Sequence, residues 1–254
     1  MSQSYQAKPE TIEGDWDRFY LEFPEVYDRF ALHDVAGVAE FAKRFDLSNK
    51  IIVDVASGTG LSTFELARHA RFVVGVEPWA TMRDFAVKKA RLLRVQNVAF
   101  LAGVAHELPF GENVADFVVS VFGFPFGYWQ EGRRDLAAHF ITESQRIVRP
   151  GGYIISINGP PLFASHAWSA GAESPHLEWQ PKPDQAGMMA EQPAEEQVGF
   201  DGCEEIMVNA DYGTVQEAVE TYGFIYGHKA IDWLIAGNLS SVPWKLRIYS
   251  IKVD

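Results

Sequence analysis

The stretch KIIVDVASGTG, residues 50–60, decides the fold. Lys50–Val55 is a short β-branched run, apolar on both faces, as a fully buried strand requires. It runs into a loop, Ala56-Ser57-Gly58-Thr59-Gly60, and then into Leu61–His69, where Leu61, Phe64 and Ala67 recur at helical spacing. Glycines at such a junction let a ligand approach the backbone, and the following helix presents unpaired N–H groups to it.

The same alternation continues outward. Phe72–Val76 reads as a second strand, Thr81–Leu93 as a helix with Met82, Phe85, Ala86 and Leu93 on one face, and Val98–Leu101 as a third strand. Ala115–Phe122 is a fourth strand and Arg134–Val148 a helix. Arg149-Pro150-Gly151-Gly152 reads as a helix stop and turn before a fifth strand, Tyr153–Ile157. Strands alternating with helices imply an α/β fold, a doubly wound sheet with right-handed crossovers. Ligands in such sheets sit at the carboxyl ends of the strands, near the point where strand order reverses. That directs attention to the loops after Val55, Val76, Leu101 and Phe122.

The flanks are less regular. Pro24–Phe45 reads as an N-terminal helical cap with Val26, Phe30, Val38, Phe41 and Phe45 as its apolar residues. Periodicity lapses from about 160 to 200, where prolines fall at 160, 161, 175, 181, 183 and 193, so this is an insertion or cover. Glu204–Val208 is a further candidate strand. Thr214–Ala236 is a helix interrupted at Gly223 and Gly227, and Trp244–Val253 an alternating last strand at or near an edge. The expected organisation is a single domain over 1–254. A cap occupies 1–49, a cofactor-binding core 50–157, an insertion or lid 158–203, and C-terminal strands with a cap helix 204–254.

Composition narrows the function. Hydrophobic residues are 47% and charged residues 22%, typical of a globular chain. The net charge of −12 is a poor start for gripping nucleic acid. Most of it lies in 171–220, which hold twelve acidic residues and one lysine. Cys203 is the single cysteine, which excludes an internal disulfide and a multi-cysteine zinc site; no metal is expected. The first residues carry no basic and apolar leader pattern, and the longest apolar run, Phe117 to Trp129, is broken by Gly123, Pro125 and Gly127. A cytoplasmic protein outside the membrane is the expectation, monomeric or homodimeric.

Two acids choose the cofactor. A dinucleotide fingerprint needs G-x-G-x-x-G, and position 63 is Thr. Asp54, just before the loop, would repel a pyrophosphate but suits a ligand carrying an ammonium and a sulfonium. Glu77, closing the second strand, is placed to accept hydrogen bonds from ribose hydroxyls. Together they favour S-adenosylmethionine over NAD.

At these residues the sequence resembles a known family. IIVDVASGTGLST (51–63), VVGVEPWATM (73–82), LAGVAHELPFGENVADFVV (101–119) and QRIVRPGGYII (145–155) look like successive motifs of class I S-adenosylmethionine-dependent methyltransferases. The look is that of the small-molecule branch that includes the ubiquinone and menaquinone methyltransferases. The resemblance implies a Rossmann-like, mostly parallel seven-stranded sheet with an antiparallel last strand. It also implies that Asp54, Ala56, Ser57, Gly58 and Gly60 line the methionine and ribose part of the cofactor and that Glu77 binds the ribose. Pro78, Trp79 and Met82 would flank the adenosine, Ala105 and His106 the adenine edge, and Phe122 the methionine moiety. Two positions depart from the pattern. Ala56 stands where the family has a glycine, and Val104 where an Asp commonly contacts the adenine amino group.

Methyl transfer from a sulfonium needs alignment and exclusion of water more than a dedicated catalytic group. The acceptor, a small and hydrophobic or aromatic molecule, is expected against the aromatic loop Phe124, Phe126, Tyr128 and Trp129, with Tyr222; packing under the insertion is the competing reading for the loop and an amphipathic cap helix for Tyr222. His33, His166, His228 and Tyr226 are candidate proton acceptors, each also readable as surface or structural. Tyr27, with Tyr20, is a candidate to close over the cofactor. The basic stretch Arg83 to Arg94 reads as a solvated helix face. Two other functions stay open: an enzyme that converts S-adenosylmethionine without methyl transfer, and a non-catalytic cofactor-binding protein.

Overall fold

Five parallel strands form the centre of the computed structural model, which describes residues 11–12, 15–125, 132–159 and 194–254. They are β1 (Ile51–Val55), β2 (Phe72–Val76), β3 (Val98–Leu101), β4 (Ala115–Val121) and β5 (Val148–Asn158). Two more, β6 (Gly202–Asp211) and β7 (Ser241–Lys252), complete a seven-stranded sheet of order β3-β2-β1-β4-β5-β7-β6. β7 is antiparallel to both its neighbours, so it lies one place in from the edge and β6 is the edge strand. Strand order reverses between β1 and β4, and this is where the fold opens a ligand crevice.

Each face of the sheet is covered. On one face Ile52, Val73, Phe117, Val119, Ile155 and Leu246 pack under the N-terminal helices and the C-terminal helical segment. On the other, Val53, Val55, Val118 and Ile154 pack under Arg134–Ile147, whose Leu136, Ala137, Phe140, Ile141 and Ile147 are buried. Alternation along β1 therefore sends Ile52 and Asp54 to one face and Val53 and Val55 to the other. A carboxylate thus replaces an apolar side chain at the second-last position of β1.

The N-terminal cap is three helices rather than one continuous segment: α1 (Trp16–Glu22), α2 (Pro24–Phe30) and α3 (Leu32–Ala42). Pro24 occupies the first turn of α2, where its missing N–H costs nothing. Helices α4 (Leu61–Ala67) and α5 (Ala80–Leu93) follow β1 and β2. Toward the C-terminus, Val215–Ala218 continues through a π-helical turn, Val219–Gly223, into Phe224–Tyr226, and the helix restarts at His228–Gly237. The break falls at Gly227, with φ of 82°.

One expectation is corrected. Arg149-Pro150-Gly151-Gly152 is not a turn, because β5 begins at Val148 and runs through it as a bulged extension. Gly151 (φ 84°) donates to the Val253 carbonyl at 2.7 Å, so the segment is paired. A Cβ on Gly152 would strike the Asp116 carbonyl oxygen, so only glycine lets the bulge close. The expected insertion, 158–203, falls mainly outside the described residues.

Candidate cofactor and acceptor site

Asp54 sits at the carboxyl end of β1, beside Gly75 of β2 and Val119 of β4, with no surface exposed. Its Oδ2 accepts from Ser62 Oγ at 2.7 Å and Thr63 Oγ1 at 2.5 Å, while Oδ1 has no partner. Burial pushes its carboxyl up to about 6, against the pull of these two hydroxyls. The serine and threonine stand in the first turn of α4, and sequence reading missed them. Their signal is a polar pair on the buried side of an otherwise apolar helix.

The loop after β1 is held by its neighbour strand. The amides of Ala56 and Ser57 both donate to the Val76 carbonyl, at 2.9 and 3.2 Å. Ala56, Gly58 and Gly60 all take positive φ, 63°, 52° and 86°. For Gly60 this geometry is required: a Cβ there would meet the Phe64 and Phe100 rings at 2.9 Å. At Ala56, a side chain occupies a left-handed position that glycine fills at lower cost. Ser57 Oγ and Thr59 Oγ1 are buried without partners in the same loop.

Glu77, at the end of β2, binds this loop directly. Its Oε2 accepts from Gly58 N and its Oε1 from Trp79 N, both at 2.9 Å. It is 4% exposed, and burial raises its pKa against those two bonds. Beyond it, Trp79 is 43% exposed and Met82 is buried. Pro78 is exposed beside them, an apolar ledge next to the acid. Arg83 donates to the Glu77 carbonyl at 2.8 Å, and Lys89 pairs with Asp28 of α2, both oxygens at 2.6 Å. These two members of the basic stretch are therefore structural, not a solvated face. In the β3 loop, Ala105 is 2% exposed, His106 is half-buried, and Val104 bridges to Glu107.

The loop after β4 is stitched to β1 across the switch point. Ser120 Oγ donates to the Val55 carbonyl at 2.9 Å and accepts from Phe124 N at 2.8 Å. Phe122, the first residue past β4, has φ of 49°. A bulky side chain in the left-handed region is strained, a feature that clusters at ligand sites. Its ring meets His33 edge-on at 4.8 Å and Trp244 at 6.1 Å.

The helical cap closes one side. A Cβ on Gly58 would lie 3.4 Å from Tyr27 Cε1, so the Tyr27 ring rests on the loop itself. Tyr20 packs edge-on against it at 5.5 Å. Burial, then Asp34, Tyr20, Glu77 and Asp54, raise the Tyr27 hydroxyl well above its usual range.

Several candidates land elsewhere. His33 stacks on Trp244 at 3.9 Å and is 3% exposed. Burial holds it down to about 3, so it is a neutral ring and a feeble base rather than a ready proton acceptor. Tyr222 has no exposed surface and lies within 4.7 Å of the Tyr226 ring and 6.4 Å of Phe30, a core position rather than a pocket wall. Tyr226 packs on Phe30 at 6.0 Å, and burial raises its hydroxyl. Phe124 packs on Phe140 at 6.0 Å, under the helix on the opposite face. His228 is exposed at the start of its helix. Cys203 is exposed on β6 with its thiol raised, not activated. His166, Phe126, Tyr128 and Trp129 lie outside the described residues.

A second acid that sequence reading missed is Asp34, 5% exposed in the first turn of α3. Its signal was its place on the Phe30–Val38 stripe, four residues from each.

The strand order and the glycine loop after β1 make this a Rossmann-like fold of the class I methyltransferase type. Residues 53–156, within the segment from β1 to β5, match the family described as methyltransferase domain. A demethylmenaquinone methyltransferase of Corynebacterium kroppenstedtii is 36% identical over 102 residues, 40% of this chain and 38% of that one. Another, from Mycolicibacterium vanbaalenii, is 28% identical over 150 residues, 48% of this chain and 59% of that one. The chain thus spans about 38% to 59% of these relatives' length. Among solved structures, phosphoethanolamine N-methyltransferase 1 of Haemonchus contortus, in complex with phosphoethanolamine and S-adenosylhomocysteine, shares the fold. Its TM-score is 0.54 at 14% identity, covering 93% of this chain and 47% of that one. No helix among the described residues is long and apolar enough to cross a membrane.

Proposed function

We propose that this chain transfers the methyl group of S-adenosylmethionine to a small, hydrophobic or aromatic acceptor. The observation that carries the reading is the pair of buried acids bracketing one glycine loop: Asp54 with its free Oδ1, and Glu77 bonded to the Gly58 amide. Two buried carboxylates at one loop disfavour a pyrophosphate and favour a ligand of net positive charge. The loose Oδ1 of Asp54 and the hydroxyls of Ser57 and Thr59 are three unmet hydrogen-bonding atoms in the same few residues, which a polar ligand would satisfy. The residues present therefore fit S-adenosylmethionine.

In this reading Asp54 faces the ammonium and Glu77 the ribose hydroxyls, using oxygen lone pairs that its two backbone bonds leave over. Trp79, Pro78 and Met82 receive the adenine face, with Ala105 and His106 at its edge. The bound cofactor supplies an already activated methyl group. The chain's own work is to align the acceptor and exclude water. In this reading Tyr27, whose ring rests on Gly58, and Phe122, at the end of β4, serve the second task. The curated relatives are named as demethylmenaquinone methyltransferases, which supports an aromatic acceptor. We assign the chain to the cytoplasm, as a monomer or homodimer.

Calorimetric titration with S-adenosylmethionine, S-adenosylhomocysteine and NAD tests the cofactor. Binding of the first two and not the third is expected; binding of NAD alone overturns the reading. An acceptor panel that yields S-adenosylhomocysteine tests the transfer. Release of methylthioadenosine or a homoserine lactone instead would place the chain among enzymes that cleave the cofactor. Tight binding with no turnover on any acceptor would leave a binding protein.

A further inference from the structure

At the β3 edge of the sheet, an open groove of about 490 Å³ lies between the end of α5 and the strand. That volume is within the roughly 300–1,000 Å³ of small-molecule sites. Ala90 of α5, Val95 of the connection, and Val98 and Phe100 of β3 give it apolar walls, and Arg91 and Arg94 are the charged residues that line it. No acid lines it. Arg83 and Lys89, on the same helix, are bonded to the Glu77 carbonyl and to Asp28. Arg91 and Arg94 differ: neither side chain has a hydrogen bond or ion pair with any described residue. Arg91 stands in the last turn of α5, where a positive charge complements the helix dipole, but its guanidinium donors and those of Arg94 stay open. Between them Leu92 and Leu93 are exposed, so the helix ends in an apolar surface flanked by two positive charges.

Charge and length choose the occupant. β3 has four residues, and a short edge strand flanked by arginine is guarded against pairing with another strand. A second copy docked edge to edge would bring like guanidiniums together, which opposes association. A small anion meets neither obstacle. In a chain of net charge −12, two guanidiniums over one apolar groove make a local positive field. Their planar forks match a carboxylate, and the aliphatic walls match an apolar body. The groove is separate from the loop after β1 but shares a wall with it. A Cβ on Gly60 would meet Phe100 Cζ at 2.9 Å, so the ring that lines the groove also lies against that loop.

We propose that the groove at the β3 edge is a second ligand site, which binds a small amphipathic anion: a carboxylate on a compact apolar body. The carboxylate pairs with Arg91 and Arg94, and the body covers Ala90, Val95 and Val98. This goes beyond the methyl-transfer reading and does not rest on it, since neither Asp54 nor Glu77 lines the groove.

Three probes with one apolar body test it: octanoate, octan-1-ol and octylammonium, titrated calorimetrically into the full chain near neutral pH. Octanoate is expected to bind, octan-1-ol more weakly and octylammonium not at all. Arg91→Gln and Arg94→Gln should each weaken octanoate roughly tenfold, as loss of a charge-assisted hydrogen bond implies, and leave octan-1-ol nearly unchanged. Ala90→Phe fills the groove without altering charge and should abolish binding of both; thermal melts confirm that each variant is folded. Added salt should weaken octanoate and spare octan-1-ol. Failure of octanoate to bind, equal affinity for the three probes, or octanoate affinity unchanged in all three variants overturns the proposal. Sedimentation of the wild type and Ala90→Phe checks the competing occupant. A wild-type dimer that Ala90→Phe dissociates would make this edge an interface between copies and also overturn the proposal. The methyl-transfer reading stands or falls separately, on titration with S-adenosylmethionine.

Discussion

Gly58 N donates to Glu77 Oε2 at 2.9 Å, a bond that spans nineteen residues and ties the loop after β1 to the end of β2. The acid shapes the glycine loop, and under the proposed function it also offers its remaining lone pairs to the ligand. Removing it costs both.

Glu77→Ala is expected to weaken S-adenosylmethionine binding by about 1.5–3 kcal/mol, the range for a charge-assisted hydrogen bond. It should also lower the melting temperature, because the amides of Gly58 and Trp79 are left without acceptors. Glu77→Gln keeps one carboxamide oxygen and should fall between the two. Calorimetry and thermal melts on the three proteins check this. An alanine variant with wild-type affinity removes Glu77 from the site.

Asp54 makes a prediction in pH. Its carboxyl moves from 3.8 to about 6 on folding, so the folded chain holds a proton that the unfolded chain has released. Stability of the ligand-free protein from this group is therefore complete below about pH 4 and lost as pH rises through about 6, a total of roughly 3 kcal/mol at 1.36 kcal/mol per pH unit. A cationic ligand reverses the preference, so affinity for S-adenosylmethionine should rise over the same interval. Asp54→Asn should flatten both dependences in urea melts and in titrations across that range. Persistence of the affinity slope in the variant would assign it to another group.

His33 acts with the opposite sign. Burial lowers its pKa from 6.5 to about 3, so the unfolded chain binds a proton that the folded chain refuses. Its contribution is present above about pH 6.5 and lost as pH falls toward 3, at most about 5 kcal/mol. It opposes Asp54 across the interval they share. His33→Phe keeps the stack on Trp244 and should make the protein less sensitive to acid. Denaturation curves at a series of pH values separate the two groups, and an unchanged acid limb would mean that His33 is not the group responsible.

The strands and the glycine loop between β1 and α4 were legible because each is a local pattern. A β-branched run ending in Ala56-Ser57-Gly58-Thr59-Gly60 has few other meanings, and Phe72–Val76 falls at the ends observed. Glu77 was legible from its distance to the loop, but its bond to Gly58 was not, since the pairing depends on β1 and β2 being parallel neighbours. The acceptor side was less readable. Phe124 and Tyr222 stand in aromatic runs that look like pocket walls, and only the packing shows one against Phe140 and the other enclosed by Tyr212, Tyr226 and Trp233. Asp34 was hidden for the converse reason: an acid near a helix start reads as a solvated cap residue until its stripe is seen to be the buried one. The bulge at Gly151-Gly152 escaped because Pro-Gly-Gly is equally a turn signal.

The Asp28–Lys89 pair yields the last prediction. Lys89 Nζ lies 2.6 Å from both carboxylate oxygens of Asp28 and 5.5 Å from the Phe64 ring centre, with 22% and 16% of the two paired side chains exposed. It joins α2, which carries Tyr27, to α5, which carries Met82. Exposed pairs contribute under about 1 kcal/mol, whereas this one is bidentate and half-buried, so a coupling of about 1–2 kcal/mol is expected. Lys89→Met retains the aliphatic stem and should lose that amount, Asp28→Asn a similar amount, and the double variant less than the sum. Because the pair holds the helix that sets Tyr27 over Gly58, both single variants should also speed dissociation of S-adenosylmethionine. Stopped-flow dissociation and a double-mutant cycle in urea measure the two effects. Additive losses with an unchanged dissociation rate would mean that α2 keeps its place by packing alone.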